Sequence, residues 1–323
     1  MPMNVRFLIC LVLLALTFAV PQGAAAPIAV KVQTIALIDG QPDTTKAGAL
    51  IYRGGLQLSS TDKRFGGFSA LGISTDGKRM ISISDYAMTL STNLIYDKAG
   101  NLKDIAGSEI NILTDLDGAP LAGKRWADAE AMSPGVEGEI IVAFERNHRL
   151  WRYDPGTTVP RVLRPPHELA DIPANDGIES LTLLADGRLL AITEGAEHEP
   201  SKIGWVSNPG GWDVLTYRTD KGFRPTGAAT LPGGDVVVLE RYYTPRSGVR
   251  IKIKRIPIAD IEPAAELKGV LLADLVPPMN VDNFEGIEAR RGSDGKTYIY
   301  IISDDNMHSD QRTLLMMFEL QDR

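Results

Sequence analysis

The sequence contains almost no cysteine, since Cys10 is the only one among 323 residues. Cys10 lies in the apolar run FLICLVLLALTFAV, which follows Arg6 and precedes the small residues of PQGAAAP. This arrangement predicts a signal peptide over residues 1–26 and export of the mature chain to the periplasm or the medium. The mature chain would then contain no thiol, which excludes disulfides, thiolate metal sites and cysteine nucleophiles.

Basic residues are also in deficit. The chain has 34 lysines and arginines against 41 aspartates and glutamates, for a formal net charge of −7. Binding to nucleic acid depends on clustered basic side chains that neutralise phosphates, so no nucleic-acid partner is expected. No apolar run after the first approaches the length of a membrane span, so no stable membrane insertion is expected once the signal is removed. An acidic surface suits a small molecule or a cation, and the sequence does not indicate an oligomeric state.

Helical periodicity is scarce, whereas short runs of strand-forming residues bounded by glycine, proline and aspartate recur throughout the chain. Five segments share a pattern of a strand, a tight turn containing glycine and a second strand: 68–85, 128–145, 177–194, 225–240 and 284–304. A third strand follows each copy, and a fourth follows the first three copies. The repeat predicts an all-β propeller of four-stranded blades, with five visible copies and five or six blades in total.

The last copy raises the question of how the ring closes, because it ends with its third strand at the end of the sequence. An open edge would invite pairing with another chain. The segment LIYRGGLQLSS, residues 50–60, leads directly into the first copy and is predicted to supply the missing strand. Residues 28–38 form a further strand that either adds to an edge or belongs to a sixth blade. Residues 27–323 are predicted to form one propeller domain.

The repeat also predicts where the acidic residues meet. The inner strand of a blade and its neighbour are joined at one face, so the start of the first and the end of the second lie at the other face. The starts carry Ser69, Glu130, Glu179, Thr226 and Glu285, and the ends carry Asp85, Glu145, Glu194, Glu240 and Asp304. All ten side chains are expected at one mouth of the central channel.

Crowded carboxylates repel one another unless a cation or basic side chains neutralise them. Oxygen ligands without thiols favour Ca²⁺, with Mg²⁺ or Mn²⁺ as alternatives. Three histidines near the mouth make a transition metal a further alternative. The predicted metal ligands are Glu130, Glu179, Glu285, Asp304, Glu145, Glu194 and Asp305.

The loops that follow the second strands carry further polar residues. The predicted substrate-binding residues are Arg146, Arg241, Tyr242, His198 and His308, with the two arginines as a clamp for an anion. The predicted catalytic residues are Glu130, Glu179, Glu285 and His148, one of which would accept a proton from the attacking water. Each has a structural alternative, because Arg146 and Arg241 also fit as counter-ions of Glu145 and Glu240, and His148 as a hydrogen-bonded loop residue.

Several stretches resemble a known family: FGGFSALGIS, WADAEAMS, NDGIESLTLLADGRLLAITEG, NFEGIE, YIISDDN and QRTLLMMFEL. Over about residues 50–320 the chain resembles the exported bacterial family described as phytase-like, with esterase-like activity. The resemblance implies hydrolysis of phosphate esters at Ca²⁺ ions in the channel mouth, with a metal-bound water as the nucleophile. The sequence departs from that picture in having no recognisable cluster of basic residues for a highly phosphorylated inositol.

Two other classes of function remain open at this point. One is a Ca²⁺-dependent lactonase or carboxyl esterase, since an acidic propeller mouth with a cation also polarises carbonyl groups. The other is a non-catalytic propeller that binds a ligand. The sequence has no G-x-S-x-G elbow, P-loop or H-E-x-x-H motif, which argues against the chemistry that these motifs support.

Overall fold

The computed structural model describes residues 26–135, 138–196 and 198–321. Residues 1–25 of the predicted signal peptide lie outside these ranges. Among the described residues, no helix has the length and apolar character needed to cross a membrane.

Four strands precede the first repeat: β1 (Ala26–Pro27), β2 (Lys31–Ile35), β3 (Lys46–Ala47) and β4 (Leu50–Ser59). Blade 1 contains β5 (Phe68–Ile73), β6 (Arg79–Ser84), β7 (Met88–Tyr96) and β8 (Leu102–Ile112). The short helix α1 (Lys124–Ala127) leads into blade 2, which contains β9 (Ala129–Pro134), β10 (Ile140–Phe144), β11 (Arg149–Tyr153) and β12 (Arg161–Leu163).

A 3₁₀ turn (His167–Asp171) connects blade 2 to blade 3, which contains β13 (Ile178–Leu183), β14 (Leu189–Thr193), β15 (Ser201–Asn208) and β16 (Gly211–Arg218). Blade 4 contains β17 (Arg224–Thr230), β18 (Val236–Thr244) and β19 (Gly248–Ile256); a 3₁₀ turn (Ile258–Asp260) and β20 (Glu266–Leu267) come before its outer strand β21 (Val270–Leu275). Blade 5 contains β22 (Phe284–Arg291), β23 (Thr297–Ser303) and β24 (Thr313–Leu320).

These strands form five antiparallel blades, with β5, β9, β13, β17 and β22 as the inner strands. The inner strands adjoin one another in a closed ring, since each contacts the inner strands of the two neighbouring blades. One apolar cluster fills the space between each pair of adjacent blades. The prediction of a β-propeller is confirmed, and the number of blades is five.

The ring closes through the N-terminal strand, as predicted. β4 pairs antiparallel with β24 along its length, from Leu58 opposite Thr313 to Leu50 opposite Leu320. β2 then pairs with the outer side of β4. The strand that the sequence left unplaced therefore extends the edge of blade 5 and does not form a sixth blade.

Every inner strand has a β-bulge at the same point of its pairing with the second strand. In blade 1, Phe68 is opposite Ser84 and Ala70 is opposite Ile83, so the residue between them has no partner. The unpaired residues in the five blades are Ser69, Glu130, Glu179, Thr226 and Glu285. A bulge turns the strand locally and re-aims the side chain at that position. The five positions that the sequence aligned are therefore structurally equivalent.

Substitution of Leu56 tests the contribution of the closing strand to stability. Leu56 is fully buried, pairs with Leu315 and belongs to the apolar cluster between blades 5 and 1. Leu56→Ala should lower the free energy of unfolding by about 2–5 kcal/mol, the range for a cavity in a packed core. The matched control Leu271→Ala, at a side chain that is 50% exposed, should cost about 1 kcal/mol or less. Equal costs in denaturant unfolding would contradict this role of β4.

Candidate functional site

Three equivalent positions in each blade lie at one mouth of the channel. They are the bulged residue, the residue two positions before it and the residue that follows the second strand. The backbone joins the last two, because the N–H of Asp85 donates to the carbonyl oxygen of Gly67 at 2.9 Å and that of Glu145 to Asp128 at 2.8 Å. The same bond joins Glu194 to Gly177 and Asp304 to Asn283, each at 2.9 Å.

The fourth blade corrects the sequence alignment by one residue. Glu240 pairs with Pro225, the residue just before the bulge, so it corresponds to Ser84 of blade 1 and not to Asp85. Arg241 occupies the mouth position. Because a shift of one residue moves a strand side chain to the opposite face, Glu240 is fully buried, lies 3.0 Å from the Lys254 ammonium and accepts a hydrogen bond from Tyr217 at 2.8 Å. The prediction that Glu240 lies at the mouth is wrong.

The corrected alignment separates charge around the mouth. The residues at the three positions are Gly67, Ser69 and Asp85 in blade 1; Asp128, Glu130 and Glu145 in blade 2; Gly177, Glu179 and Glu194 in blade 3; Arg224, Thr226 and Arg241 in blade 4; and Asn283, Glu285 and Asp304 in blade 5. Blade 2 thus supplies three carboxylates, whereas blade 4 supplies two arginines and no acid. Blade 3 lies between them.

The three carboxylates of blade 2 form the group best arranged for a cation. One oxygen from each of Asp128, Glu130 and Glu145 lies within 4.8 Å of the others, and the group contains no histidine. Oxygen donors alone favour a hard cation such as Ca²⁺ over a transition metal. These residues therefore fit the predicted cofactor, although Asp128 was not among the predicted ligands.

Two basic side chains contact the carboxylates of blade 2. The ammonium of Lys124, on helix α1, contacts Asp128 and lies 2.5 Å from Asp85 and 3.9 Å from Glu130. Arg146 donates from Nε to Asp128 at 2.5 Å. Asp128 is 1% exposed, so these contacts compensate part of its burial. Arg146 therefore serves as a counter-ion that contacts Asp128 directly, and its charge also acts on Glu145.

The glutamates at the bulges interact electrostatically with one another. Burial raises the pKa of Glu130 well above its usual value, and a hydrogen bond to Asp128 and the charges of Glu285 and Glu145 add to the effect. Burial also raises the pKa of Glu179 and of Glu285, with further contributions from neighbouring carboxylates. The structure thus brings together Glu130, Glu179 and Glu285, as the register predicted.

Two carboxylates at the ends of second strands have pKa values close to neutrality. Burial raises the pKa of Glu145 to about 7, against the opposing effect of the Gly177 N–H, which donates to its Oε1 at 2.6 Å. Burial also raises the pKa of Asp304 to about 7, against a hydrogen bond from the Asn306 N–H. Both side chains therefore release their protons at a higher pH than the same groups do in water.

The arginines of blade 4 contact the acids of blades 3 and 5. Arg224 contacts Glu194 and lies 3.5 Å from Asp176, while Arg241 lies 3.2 Å from Glu194 and 3.9 Å from Glu285. Two arginines therefore compensate the charge of Glu194. This favours a role for Glu194 as an ion-pair partner over its predicted role as a metal ligand. The Nε of Arg241 is buried and has no hydrogen-bond partner among the described residues.

Asp305 and His148 have structural contacts. Asp305 accepts hydrogen bonds from the Gly67 N–H at 2.8 Å and from the Thr313 hydroxyl at 3.0 Å, which fastens blade 5 to the segment before blade 1. The Nε2 of His148 lies 3.1 Å from the carbonyl oxygen of Pro173 and 3.2 Å from that of Ile172. These contacts support the interpretation of His148 as a hydrogen-bonded loop residue.

The remaining predicted substrate-binding residues lie farther out. Tyr242 stacks on Phe223 with ring centroids 5.3 Å apart, whereas its neighbour Tyr243 is 56% exposed. His198 is exposed. His308 is exposed too, with its Nδ1 3.8 Å from Asp310, and it lines a surface cleft together with Arg241 and Tyr243.

Sequence reasoning missed four residues at this mouth: Lys124, Asp128, Arg224 and Asn283. Three of them stand two positions before a bulged residue, so an alignment centred on the bulge would have found them. Asn283 donates from its amide to Glu285 at 2.8 Å, and its Oδ1 is buried without a hydrogen-bond partner. Lys124 lies outside the repeat, on the short helix α1 that connects blades 1 and 2, so the repeat contains no signal for it.

The family model described as phytase-like, esterase-like activity of phytase, matches residues 63–307. No curated protein matches the sequence.

Among solved structures, virginiamycin B lyase from Staphylococcus aureus is 12% identical, with 89% of this chain and 99% of that chain covered and a TM-score of 0.42. A streptogramin B lyase is 11% identical, with 88% and 97% covered and a TM-score of 0.41. A protein of unknown function from Bacteroides thetaiotaomicron is 12% identical, with 90% and 76% covered and a TM-score of 0.46.

A carboxyl group at the opposite mouth of the channel allows a test by pH. Burial raises the pKa of Glu288 from its usual 4.5 to about 8, against a hydrogen bond from the Ala289 N–H. The unfolded chain therefore loses this proton first, and the free energy of unfolding should fall as pH rises from 4.5 to about 8. Glu288→Gln should remove that contribution, which is at most about 1.4 kcal/mol per pH unit.

The measurement is urea unfolding of both proteins at several pH values between 4 and 9. The difference between the variant and the wild type isolates Glu288 from the acids of the other mouth, because Glu288→Gln leaves those acids in place. Parallel stability curves would show that Glu288 ionises normally in the folded state.

Proposed function

Because the chain belongs to the phytase-like family, described as esterase-like activity of phytase, we propose that it is an exported, Ca²⁺-dependent hydrolase of phosphate esters. The observation that carries the proposal is the separation of charge at one mouth, with three carboxylates from blade 2 and two arginines from blade 4. A cation site facing an arginine pair is suited to an anionic ester held between them.

The cation would be held by Asp128, Glu130 and Glu145. Ca²⁺ takes six to eight oxygen ligands and accepts irregular geometry, so it tolerates a site built from three separate segments of a blade. Mg²⁺ and Mn²⁺ are alternatives with the same preference for oxygen. Raised pKa values at Glu130 and Glu145 indicate that positive charge is in deficit there, so binding of a cation would release protons.

The arginines of blade 4 would bind and orient the ester. Arg224 and Arg241 are each about three-quarters buried, and both contact Glu194. Arginine binds phosphate oxygens through paired N–H donors, and partial burial strengthens such contacts. The cation itself would supply charge that polarises the phosphoryl group and lowers the pKa of a water.

The proton of the attacking water needs an acceptor between the cation and the arginines. Glu179 would fill this role, and the position of blade 3 between blades 2 and 4 supports the choice. Burial and the charges of Glu194 and Glu285 raise its pKa well above the usual value, which makes the carboxylate a stronger base. We assign Glu179 as the general base, ahead of His148, whose Nε2 contacts two carbonyl oxygens.

The central experiment combines cation binding with a substrate panel. Purified protein should bind Ca²⁺ stoichiometrically in calorimetry and hydrolyse phosphomonoesters in a chelator-sensitive manner. Glu130→Gln should weaken Ca²⁺ binding at least about 10-fold, and Glu179→Gln should lower kcat about 100-fold or more with Ca²⁺ binding largely retained. Glu288→Gln at the opposite mouth is the matched control and should leave both quantities unchanged.

The outcomes separate the classes of function. Turnover of lactones or aryl acetates without turnover of phosphate esters would identify a carboxyl esterase. Absence of turnover on both ester classes with Ca²⁺, Mg²⁺ and Mn²⁺ supplied would identify a ligand-binding propeller. Unchanged Ca²⁺ affinity in Glu130→Gln would refute the cation site in blade 2.

Lys124 offers a second test of the cation site. Its ammonium contacts the acids that would hold the cation, so it repels an incoming Ca²⁺ and competes for Asp128. Lys124→Met should therefore tighten Ca²⁺ binding, by about 10-fold given that the side chain is 35% exposed and partly screened. The control Lys98→Met removes the same unit of charge at an exposed turn and should have little effect. Weaker binding in Lys124→Met would instead mean that Lys124 holds Asp85 and Asp128 in place for the cation.

A further inference from the structure

A cleft of about 840 Å³ opens beside the mouth, between blades 4 and 5. Its lining includes Arg241, Tyr243, Val249, Pro277, Asn283 and His308. A volume of this size is typical of sites for organic ligands and exceeds what a phosphate group needs.

The cleft is continuous with the acidic mouth, because two residues line both. Arg241 lies 3.9 Å from Glu285. Asn283 donates to Glu285 at 2.8 Å and lies 3.5 Å from Asp304. A ligand whose charged end reaches Arg241 would therefore extend its remaining part into the cleft.

The side chains of strand β18 determine what the uncharged part of such a ligand would contact. Alternate residues of a strand point to the same face, so Arg241 and Tyr243 share one face while Tyr242 packs on Phe223 at the other. Val249 of β19 is directly opposite Tyr243 in the ladder, and cross-strand neighbours also share a face. Arg241 is thus followed, about 7 Å along the strand, by an aromatic ring and a branched apolar side chain.

The other charges in the cleft have partners of their own. Arg312 donates to Asp282 at 3.3 Å, to the Asn280 side chain at 3.0 Å and to the Val281 carbonyl oxygen at 3.2 Å. His308 lies 3.8 Å from Asp310. The cleft therefore presents Arg241 at its inner end and no cluster of basic residues such as a polyphosphate requires.

We infer that the substrate is an ester with one anionic group joined to an apolar, ring-containing organic moiety that lies on Tyr243, Val249 and Pro277. Tyr243 is then a specificity-determining residue, since its ring is 56% exposed and placed to stack on that moiety. This inference rests on the proposed function, because it assigns the anionic group to the arginines and the cation of the mouth.

The test compares benzyl phosphate with ethyl phosphate, whose leaving alcohols are similar enough that a preference reports on contact with the ring. Wild-type protein with Ca²⁺ should favour benzyl phosphate by about 10-fold in kcat/KM, with little or no turnover of inositol hexakisphosphate. Tyr243→Ala should remove most of this preference through a higher KM for benzyl phosphate, with a much smaller effect on the KM for ethyl phosphate. Tyr243→Phe keeps the ring and should retain the preference.

Binding of benzylphosphonate, a non-hydrolysable analogue, separates failure of the inference from failure of the proposed function. Turnover of both esters with no preference, or a preference that survives in Tyr243→Ala, would overturn the inference while leaving the hydrolase intact. Tyr243-dependent binding of benzylphosphonate without turnover of any ester would support the ligand class and refute the hydrolase. Absence of both turnover and binding would refute both.

Discussion

The ring of five inner strands imposes the constraint on which the rest of this structure depends. Each strand carries a bulge at the same step of its ladder, and the closed ring holds the five bulged residues around one axis. Glu130, Glu179 and Glu285 are therefore held near one another by backbone pairing and by the apolar clusters between blades. These residues cannot move apart without opening the ring, so their mutual repulsion is relieved by protons, by basic side chains or by a cation.

The protein supplies internal cations to some of these acids and not to others. Lys124 and Arg146 converge on Asp128, and Arg224 and Arg241 converge on Glu194. The glutamates at the bulges are less well compensated, with Glu130 3.9 Å from Lys124 and Glu285 3.9 Å from Arg241, so burial and neighbouring carboxylates raise their pKa values. The least compensated negative charge is thus concentrated at the bulged glutamates, where an incoming cation would bind.

One scaffold position carries different chemistry in each blade. The residue after the second strand is aspartate or glutamate in blades 1, 2, 3 and 5, and it is Arg241 in blade 4. This single substitution of charge turns an acidic ring into a site with a cationic side, and Arg241 then connects the mouth to the cleft that holds Tyr243. Propellers host many functions because such positions vary independently of the fold, so these residues and not the architecture determine function.

Much of the fold was determined by the sequence alone. Turns with glycine between alternating strands revealed the repeat, and the missing strand of the last copy identified residues 50–60 as the closing strand, because local pairing rules act over short stretches of chain. The sequence also aligned the five bulged residues correctly. It could not decide between Glu240 and Arg241, because the longer strands of blade 4 hide a shift of one residue that only the ladder reveals. The sequence likewise could not predict that Lys124 contacts Asp85 and Asp128, or that Tyr243 and Pro277 line the same cleft. Contacts between distant segments depend on how the blades pack.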